Sequence, residues 1–99
     1  MTDVESGLQD GETTVTVRYW AGARAAAGTA EESLTLPGPA SLADVVRRVL
    51  ALHPDQRMAD VIGVCSVLVG ERPASSEDPE QVVVPDGASV EFLPPFAGG

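Results

Sequence analysis

The sequence predicts an α+β fold in which one main helix packs across a mixed sheet. Segments near both ends of the domain alternate apolar and polar residues, and one apolar stripe of helical period lies between them. The elements follow in the order ββαβ(β)β without an internal repeat, which indicates a single α+β domain. We expect a disordered acidic leader over residues 1–13, the domain over 14–93 and a flexible tail over 94–99.

The first strand is predicted over residues 14–20, where Val17 and Tyr19 share one face and Arg18 and Trp20 share the other. An alanine-rich helical turn then ends at Gly28. A second strand over residues 31–36 ends at a Pro-Gly-Pro sequence.

The main helix begins after Ser41, which forms a capping box with Asp44. Its core-facing stripe consists of Leu42, Val45, Val46, Val49, Leu50 and Leu52. Arg47 and Arg48 are predicted to face solvent. The helix should end near His53, because the following proline disfavours helical geometry at the residue before it.

Two further strands are predicted over residues 64–69 and 88–93, and a loop over 71–87 contains a possible short strand at 82–84. In the last strand, Val90 and Phe92 share the helix-covered face with Val17 and Tyr19. The opposite face then presents an apolar anchor with a polar rim, formed by Trp20, Leu93, Arg18 and Glu91. The alternative is that Trp20 merely caps the sheet edge.

The charge balance limits the classes of partner. The net charge is −9, from fifteen acidic and six basic residues, and all six basic residues are arginines. This balance argues against nucleic acid and anionic membranes, and it favours partners with basic docking surfaces. No apolar run has membrane-spanning length, no signal peptide is visible, and a single cysteine favours the reducing cytoplasm. Without lysine, chains linked through lysine side chains are impossible.

The sequence contains no residue motif that is typical of a conventional active site. His53 is the only histidine and Cys65 the only cysteine, and no grouped ligands for a metal or Gly-rich phosphate loop occur. We expect Cys65 to be a buried, inert thiol and His53 to interact with the carbonyls at the helix end. The pattern therefore favours a carrier or substrate protein over a free-standing enzyme.

The most informative segment is the C-terminal run Pro94–Gly99, which ends in a diglycine. The prolines restrict the backbone to extended conformations, and glycine allows close approach of a partner. Six extended residues reach roughly 20 Å. The Gly99 carboxylate therefore lies on a thin stalk that fits a narrow active site, although a frayed terminus is the alternative reading.

Residues 93–99 (LPPFAGG) resemble the C-terminus of the MoaD/ThiS sulfur-carrier family, whose fold is the ubiquitin-like β-grasp. Residues 15–28 (VTVRYWAGARAAAG) resemble the first strand and turn of the branch that contains the molybdopterin synthase small subunit. The segment between them matches in element order only. The resemblance implies that the first and last strands lie side by side and parallel at the sheet centre.

The resemblance also implies a reaction cycle. An E1-like adenylyltransferase uses ATP to adenylate Gly99, a sulfur donor protein supplies sulfur, and the thiocarboxylate passes it to cyclic pyranopterin monophosphate. Gly98 completes the reactive end, and no cofactor is bound by the chain itself. The expected partner is the large subunit, in a heterotetramer, contacted by Trp20, Arg18, Leu93, Pro94, Pro95, Phe96 and Ala97.

Three other functions remain open at this point. In the first, the chain is a sulfur carrier for another acceptor, in thiazole, cysteine or tRNA thiolation. In the second, the chain is a protein modifier that forms isopeptide bonds through Gly99. In the third, it is a plain binding module with an incidental tail.

Overall fold

The structure, a computed structural model, describes residues 11–95. The elements along these residues are β1 (Glu12–Tyr19), α1 (Ala21–Ala27), β2 (Glu31–Pro37), β3 (Ala40–Ser41), α2 (Leu42–Leu52), α3 (Gln56–Ile62), β4 (Ser66–Val69), β5 (Arg72–Pro73), β6 (Val83–Val84) and β7 (Ser89–Leu93). Most of the predicted leader and the last four residues of the predicted tail lie outside this range.

The main sheet has the strand order β2-β1-β7-β4-β5, and β3 pairs with β6 in a separate two-stranded sheet. The first and last strands, β1 and β7, are parallel neighbours, whereas the other pairs in the main sheet are antiparallel. This mixed arrangement confirms the predicted topology. It also places the C-terminal strand at the centre of the sheet, where both of its edges are hydrogen-bonded.

The core lies between the sheet and the helices. Val15, Val17 and Tyr19 of β1 are buried, as are Val90 and Phe92 of β7. They join Leu42, Val45 and Val49 of α2 in one apolar cluster. Burial of one such apolar side chain contributes about 1.5–3 kcal/mol, so truncation of any of them is expected to destabilise the fold. The predicted inward face of both central strands is therefore confirmed.

Helix α2 begins with the predicted capping box. The Ser41 hydroxyl accepts the Asp44 backbone N–H at 3.1 Å, and the Asp44 carboxylate accepts the Ser41 backbone N–H at 2.9 Å. Arg47 is exposed, as predicted, and the Arg48 side chain donates to a backbone carbonyl of β2. Leu52 was predicted to face the core and is instead 49% exposed, because it is the last residue of the helix.

Several elements differ from the prediction. Strand β1 begins at Glu12, two residues early, and the Thr13 hydroxyl is buried and donates to the Gly38 carbonyl at 2.8 Å. Helix α3 was not predicted; Asp55 caps it, and it buries Met58 and Ile62. Strand β4 starts two residues later than predicted because the chain is still leaving α3.

His53 has a different partner from the one predicted. Its Nε2 lies 2.6 Å from a Glu32 carboxylate oxygen, which also accepts the Tyr19 hydroxyl at 2.5 Å. Burial, and then the hydrogen bond to Glu32, raise the pKa of Tyr19, so this phenol stays protonated. The three side chains join the end of α2 to strands β1 and β2. Only the His53 backbone N–H bonds a helix carbonyl, that of Val49.

Candidate functional site at the end of the last strand

The end of β7 is held firmly before the chain leaves the domain. Leu93 pairs with Ser66 of β4, and the Trp20 backbone N–H donates to the Phe92 carbonyl at 3.2 Å. Because β7 is hydrogen-bonded to β1 and to β4, its direction is fixed by both neighbours. The exit point of the C-terminal segment is therefore set by the sheet itself.

The two prolines after β7 have different environments. Pro94 is buried and Pro95 is exposed. The sequence predicts that Pro94 belongs to the tail and contacts a partner; its burial shows that it is covered in the free chain, and its contact with a partner stays a prediction. Pro95 is available to a partner. The remaining predicted site residues, Phe96, Ala97, Gly98 and Gly99, lie outside the described residues.

We use the term outer face for the sheet surface opposite the helices, which carries Arg18, Trp20, Leu68, Glu91 and Leu93. Trp20 is 49% exposed, and its indole N–H donates to a Glu91 carboxylate oxygen at 2.9 Å. This hydrogen bond orients the indole beside the strand from which the tail emerges. Leu93 is half-buried rather than fully exposed, so it contributes less apolar surface than the sequence suggested.

Leu68 belongs to this surface and was missed in the sequence. It pairs with Glu91, and its neighbours Val67 and Val69 face the core. The signal was period-two alternation within β4, with Leu68 outward and Val67 and Val69 inward. It was hidden because residues 67–69 are all apolar and show no contrast between the two faces.

A cavity of about 250 Å³ lies next to Trp20, lined by Arg18, Arg24, Trp20 and Glu31 among others. The Arg18 guanidinium lies 3.5 Å from the Glu31 carboxylate, and both side chains are largely exposed. Exposed pairs of this kind contribute less than about 1 kcal/mol, so Arg18 can exchange Glu31 for a carboxylate on a partner. The site therefore combines an aromatic anchor with guanidinium groups in an otherwise acidic protein.

Cys65 and His53, the single cysteine and the single histidine of the sequence, do not lie on the outer face. Cys65 is half-buried, its thiol donates to the Val61 carbonyl at 3.2 Å, and burial raises the pKa of this thiol to about 11. At neutral pH it is therefore almost entirely the unreactive thiol. Within residues 11–95, no group of three or more His, Cys, Asp or Glu residues could hold a metal ion.

In the same part of the chain, none of the helices is long and apolar enough to cross a membrane.

A main helix packed across a sheet with parallel first and last strands, together with the exit of the chain at the sheet centre, defines a ubiquitin-like β-grasp protein. Residues 17–99 match the ThiS family. The chain belongs to that family, and it is a protein of the sulfur-carrier type.

Individual similar proteins agree with this assignment. The chain is 28% identical over 85 residues to the molybdopterin synthase sulfur carrier subunit of Chlamydomonas reinhardtii, covering 86% of this chain and 98% of that one. The solution structure of the HVO 2177 protein of Haloferax volcanii is 25% identical, with a TM-score of 0.73 over 90% of this chain and 89% of that one. The crystal structure of SAMP1 from Haloferax volcanii has the same TM-score of 0.73 at 18% identity, covering 87% of this chain and 99% of that one, and shows the shared fold alone.

Proposed function

We propose that this chain is the small subunit of a molybdopterin synthase, in which Gly99 carries sulfur as a thiocarboxylate. The observation that carries the proposal is the position of the last strand: the central strand β7 delivers the C-terminal segment next to the exposed Trp20. The match to the ThiS family extends through Gly99, and the curated relative is named a sulfur carrier subunit.

The chemistry follows from the nature of a carboxylate, which is a poor electrophile. Attack of a Gly99 carboxylate oxygen on the α-phosphorus of ATP gives an acyl-adenylate and releases pyrophosphate. A sulfur nucleophile at the level of hydrosulfide then attacks the carbonyl carbon, and AMP leaves with the electron pair of the broken C–O bond. The product is a thiocarboxylate, whose sulfur is a strong nucleophile.

The activating groups must come from partners. The Cys65 thiol stays protonated and donates a hydrogen bond to a backbone carbonyl, and the His53 ring is hydrogen-bonded to Glu32. Neither lies on the outer face. An E1-like adenylyltransferase supplies the ATP site, and a sulfur donor protein supplies the sulfur. The chain contributes a docking surface and a stalk, so it acts as a subunit and not as an enzyme by itself.

The proposed sulfur acceptor is cyclic pyranopterin monophosphate, bound by the large subunit. Trp20 and Leu68 form the apolar part of the outer face, and Arg18 and Glu91 form its polar rim. Buried aromatic anchors with polar surroundings carry most of the energy of protein interfaces. A large subunit seated on this surface receives the tail directly from the end of β7.

The experiment that tests the carrier chemistry is the intact mass of the protein after incubation with ATP, an E1-like activating enzyme and a sulfide source. We expect a gain equal to the replacement of one oxygen atom by sulfur. A variant lacking Gly99 is the matched control and should show no gain. An unchanged mass with an enzyme that loads another carrier would reject the proposal.

The acceptor is tested separately. The thiocarboxylated protein is mixed with a molybdopterin synthase large subunit and cyclic pyranopterin monophosphate, and molybdopterin formation is measured. Loss of sulfur from Gly99 together with product formation supports the proposed acceptor. A loaded protein that forms no product but thiolates another acceptor, or that forms amide-linked conjugates with other proteins, supports one of the alternative functions instead.

A further inference from the structure

The two edges of the main sheet differ in length. Over the described residues, β2 is the outermost strand at one side and has seven residues, whereas β5 at the other side has two, one of which is Pro73. A very short edge strand that contains proline offers little to an added strand. A strand of seven residues is long enough to pair with a strand of another molecule. The β2 edge is therefore the place where another chain could extend this sheet.

The pairing of β2 with β1 determines which backbone groups of β2 point away from the sheet. The Tyr19 backbone N–H donates to the Ala30 carbonyl at 2.9 Å. Along an antiparallel ladder, residues that bond their neighbour alternate with residues whose N–H and C=O groups point away from it. The outward groups of β2 therefore belong to Glu31, Ser33 and Thr35. The residue opposite Ser33 agrees with this parity, because the Thr16 N–H points away from β2 and donates to the Ala88 carbonyl at 3.0 Å.

Two of these outward carbonyls already accept hydrogen bonds from side chains of the same chain. The Thr29 hydroxyl donates to the Glu31 carbonyl at 3.0 Å. The Arg48 guanidinium donates to the Thr35 carbonyl, also at 3.0 Å. The two capped carbonyls lie on either side of Ser33, at the centre of the edge. An added strand would have to displace both side chains to use these acceptors.

Arg48 reaches the edge from a different element. It belongs to α2, its side chain is half-buried, and its hydrogen bond joins α2 to β2. The adjacent Arg47 carries the same charge but is exposed and donates to Glu80 and Asp44 instead. After Thr35, the next outward residue of β2 is Pro37, which has no N–H to offer. The end of β2 near α2 is therefore closed to an added strand by a capped carbonyl and a proline.

A second copy of this chain is the partner for which the blocked groups matter most, because both copies carry the same edge. Two β2 strands related by a two-fold axis at Ser33 would pair Ser33 with Ser33 and Glu31 with Thr35. The outer hydrogen bonds of that pair need the carbonyls of Glu31 and Thr35 as acceptors. We propose that Thr29 and Arg48 protect the β2 edge and prevent a second copy from pairing with it.

This protection goes beyond the proposed carrier function and does not depend on it. Glu31 lies opposite Arg18 and pairs with it, so a strand added to β2 would extend the sheet beside the outer face. An unpaired β2 edge leaves that surface of each copy accessible. The caps therefore separate contact with a different protein on the outer face from contact between identical copies at the edge.

Sedimentation velocity over a range of protein concentrations tests the proposal. About 0.5 M NaCl screens the repulsion between copies that each carry a net charge of −9. Thr29→Val and Arg48→Met remove the two donors and keep side chains of similar size. We expect the double variant to form dimers at concentrations roughly thirtyfold below those at which the unchanged protein associates, the scale of a few added hydrogen bonds of modest net strength.

Two further variants are the controls. Arg47→Met removes the same charge from the adjacent position of α2 but leaves the Thr35 carbonyl capped, so it should associate no more than the unchanged protein. Arg48→Lys keeps an N–H donor at the position of the cap and should also remain monomeric. Both single variants, Thr29→Val and Arg48→Met, are measured as well, so that the test stands if the double variant does not fold.

Amide hydrogen exchange followed by NMR identifies the surface that associates. The outward Ser33 N–H becomes hydrogen-bonded in the proposed pair, so its exchange should slow as the double variant associates. Unchanged association on loss of both caps would overturn the proposal. Equal association in Arg47→Met would assign the effect to charge, and association without slower Ser33 exchange would assign it to another surface; either result also overturns it. None of these measurements involves ATP or sulfur, so the edge protection and the carrier function can fail independently.

Discussion

The two faces of the central strands differ in composition although they are carried by alternating residues of the same segments. On the helix side, Tyr19 and Phe92 are at most 2% exposed and belong to the core. On the outer face, the adjacent Trp20 is 49% exposed, and its indole N–H donates to Glu91. In this protein a shift of one residue along the chain therefore separates a core side chain from an exposed one that is open to the proposed partner.

The largest effect is expected from Phe92→Ala. Phe92 is fully buried and its ring stacks on Tyr19 with centroids 6.1 Å apart, so truncation leaves a cavity in the core. We expect the free energy of unfolding to fall by about 3–5 kcal/mol, measured by urea denaturation. The matched neighbour Leu93→Ala should cost about 1 kcal/mol, because this side chain is only half-buried. Similar losses in the two variants would contradict the division between the faces.

Trp20→Ala should have the opposite profile. We expect the affinity for the proposed large subunit to fall roughly thirtyfold in a calorimetric titration, the scale of an aromatic hot spot. The free energy of unfolding should fall by only about 1 kcal/mol, as in Leu93→Ala, because the indole is half-exposed. Val83→Ala is the matched control, since Val83 is 66% exposed but lies in the separate small sheet. A loss of affinity of the same size in both variants would mean that Trp20 has no special place in the interface.

The two faces of the central strands were predictable from the sequence wherever apolar and polar residues alternate. Val17 and Arg18 differ clearly in polarity, so residues 14–20 revealed their two faces, and the capping box at Ser41 revealed the start of α2. Residues 67–69 are uniformly apolar, and for that reason the outward position of Leu68 stayed hidden. Helix α3 was missed because it buries only Met58 and Ile62, too few positions to define a period.

Contacts between distant segments were not predictable. Glu32 carries no distinguishing signal in the sequence, yet it joins Tyr19 to His53, which is 21 residues further along the chain. The burial of Pro94 continues the alternation of β7 by one step beyond the strand, into the segment that the sequence assigned to the tail. Local periodicity indicates which face a residue occupies, whereas the partner of a buried polar group is set by the assembled fold.

An intermediate effect is expected where the core face meets solvent, at the Tyr19 hydroxyl. Tyr19→Phe keeps the stacked ring but removes the hydrogen bond to the Glu32 carboxylate. We expect a loss of about 1.5 kcal/mol in urea denaturation, since hydrogen bonds to charged groups contribute about 1.5–3 kcal/mol and Glu32 keeps its contact with His53. The same change in a Glu32→Gln background should cost less. Equal costs in both backgrounds would exclude the hydrogen bond as the cause.

The smallest effect is expected at the solvent-accessible Asp44 carboxylate in the first turn of α2. The Ser41 backbone N–H, and then the Arg47 side chain, hold the pKa of the Asp44 carboxyl below its ordinary value. A depressed pKa in the folded state stabilises the protein above the unfolded pKa, near 3.9, and this contribution is lost as the pH falls through the folded pKa. Because Asp44 is largely solvated, Asp44→Asn should cost less than about 1 kcal/mol at neutral pH. The difference in urea midpoint between the two proteins should shrink as the pH falls below 4, and a difference that stays constant with pH would assign the effect to the hydrogen bond rather than to the charge.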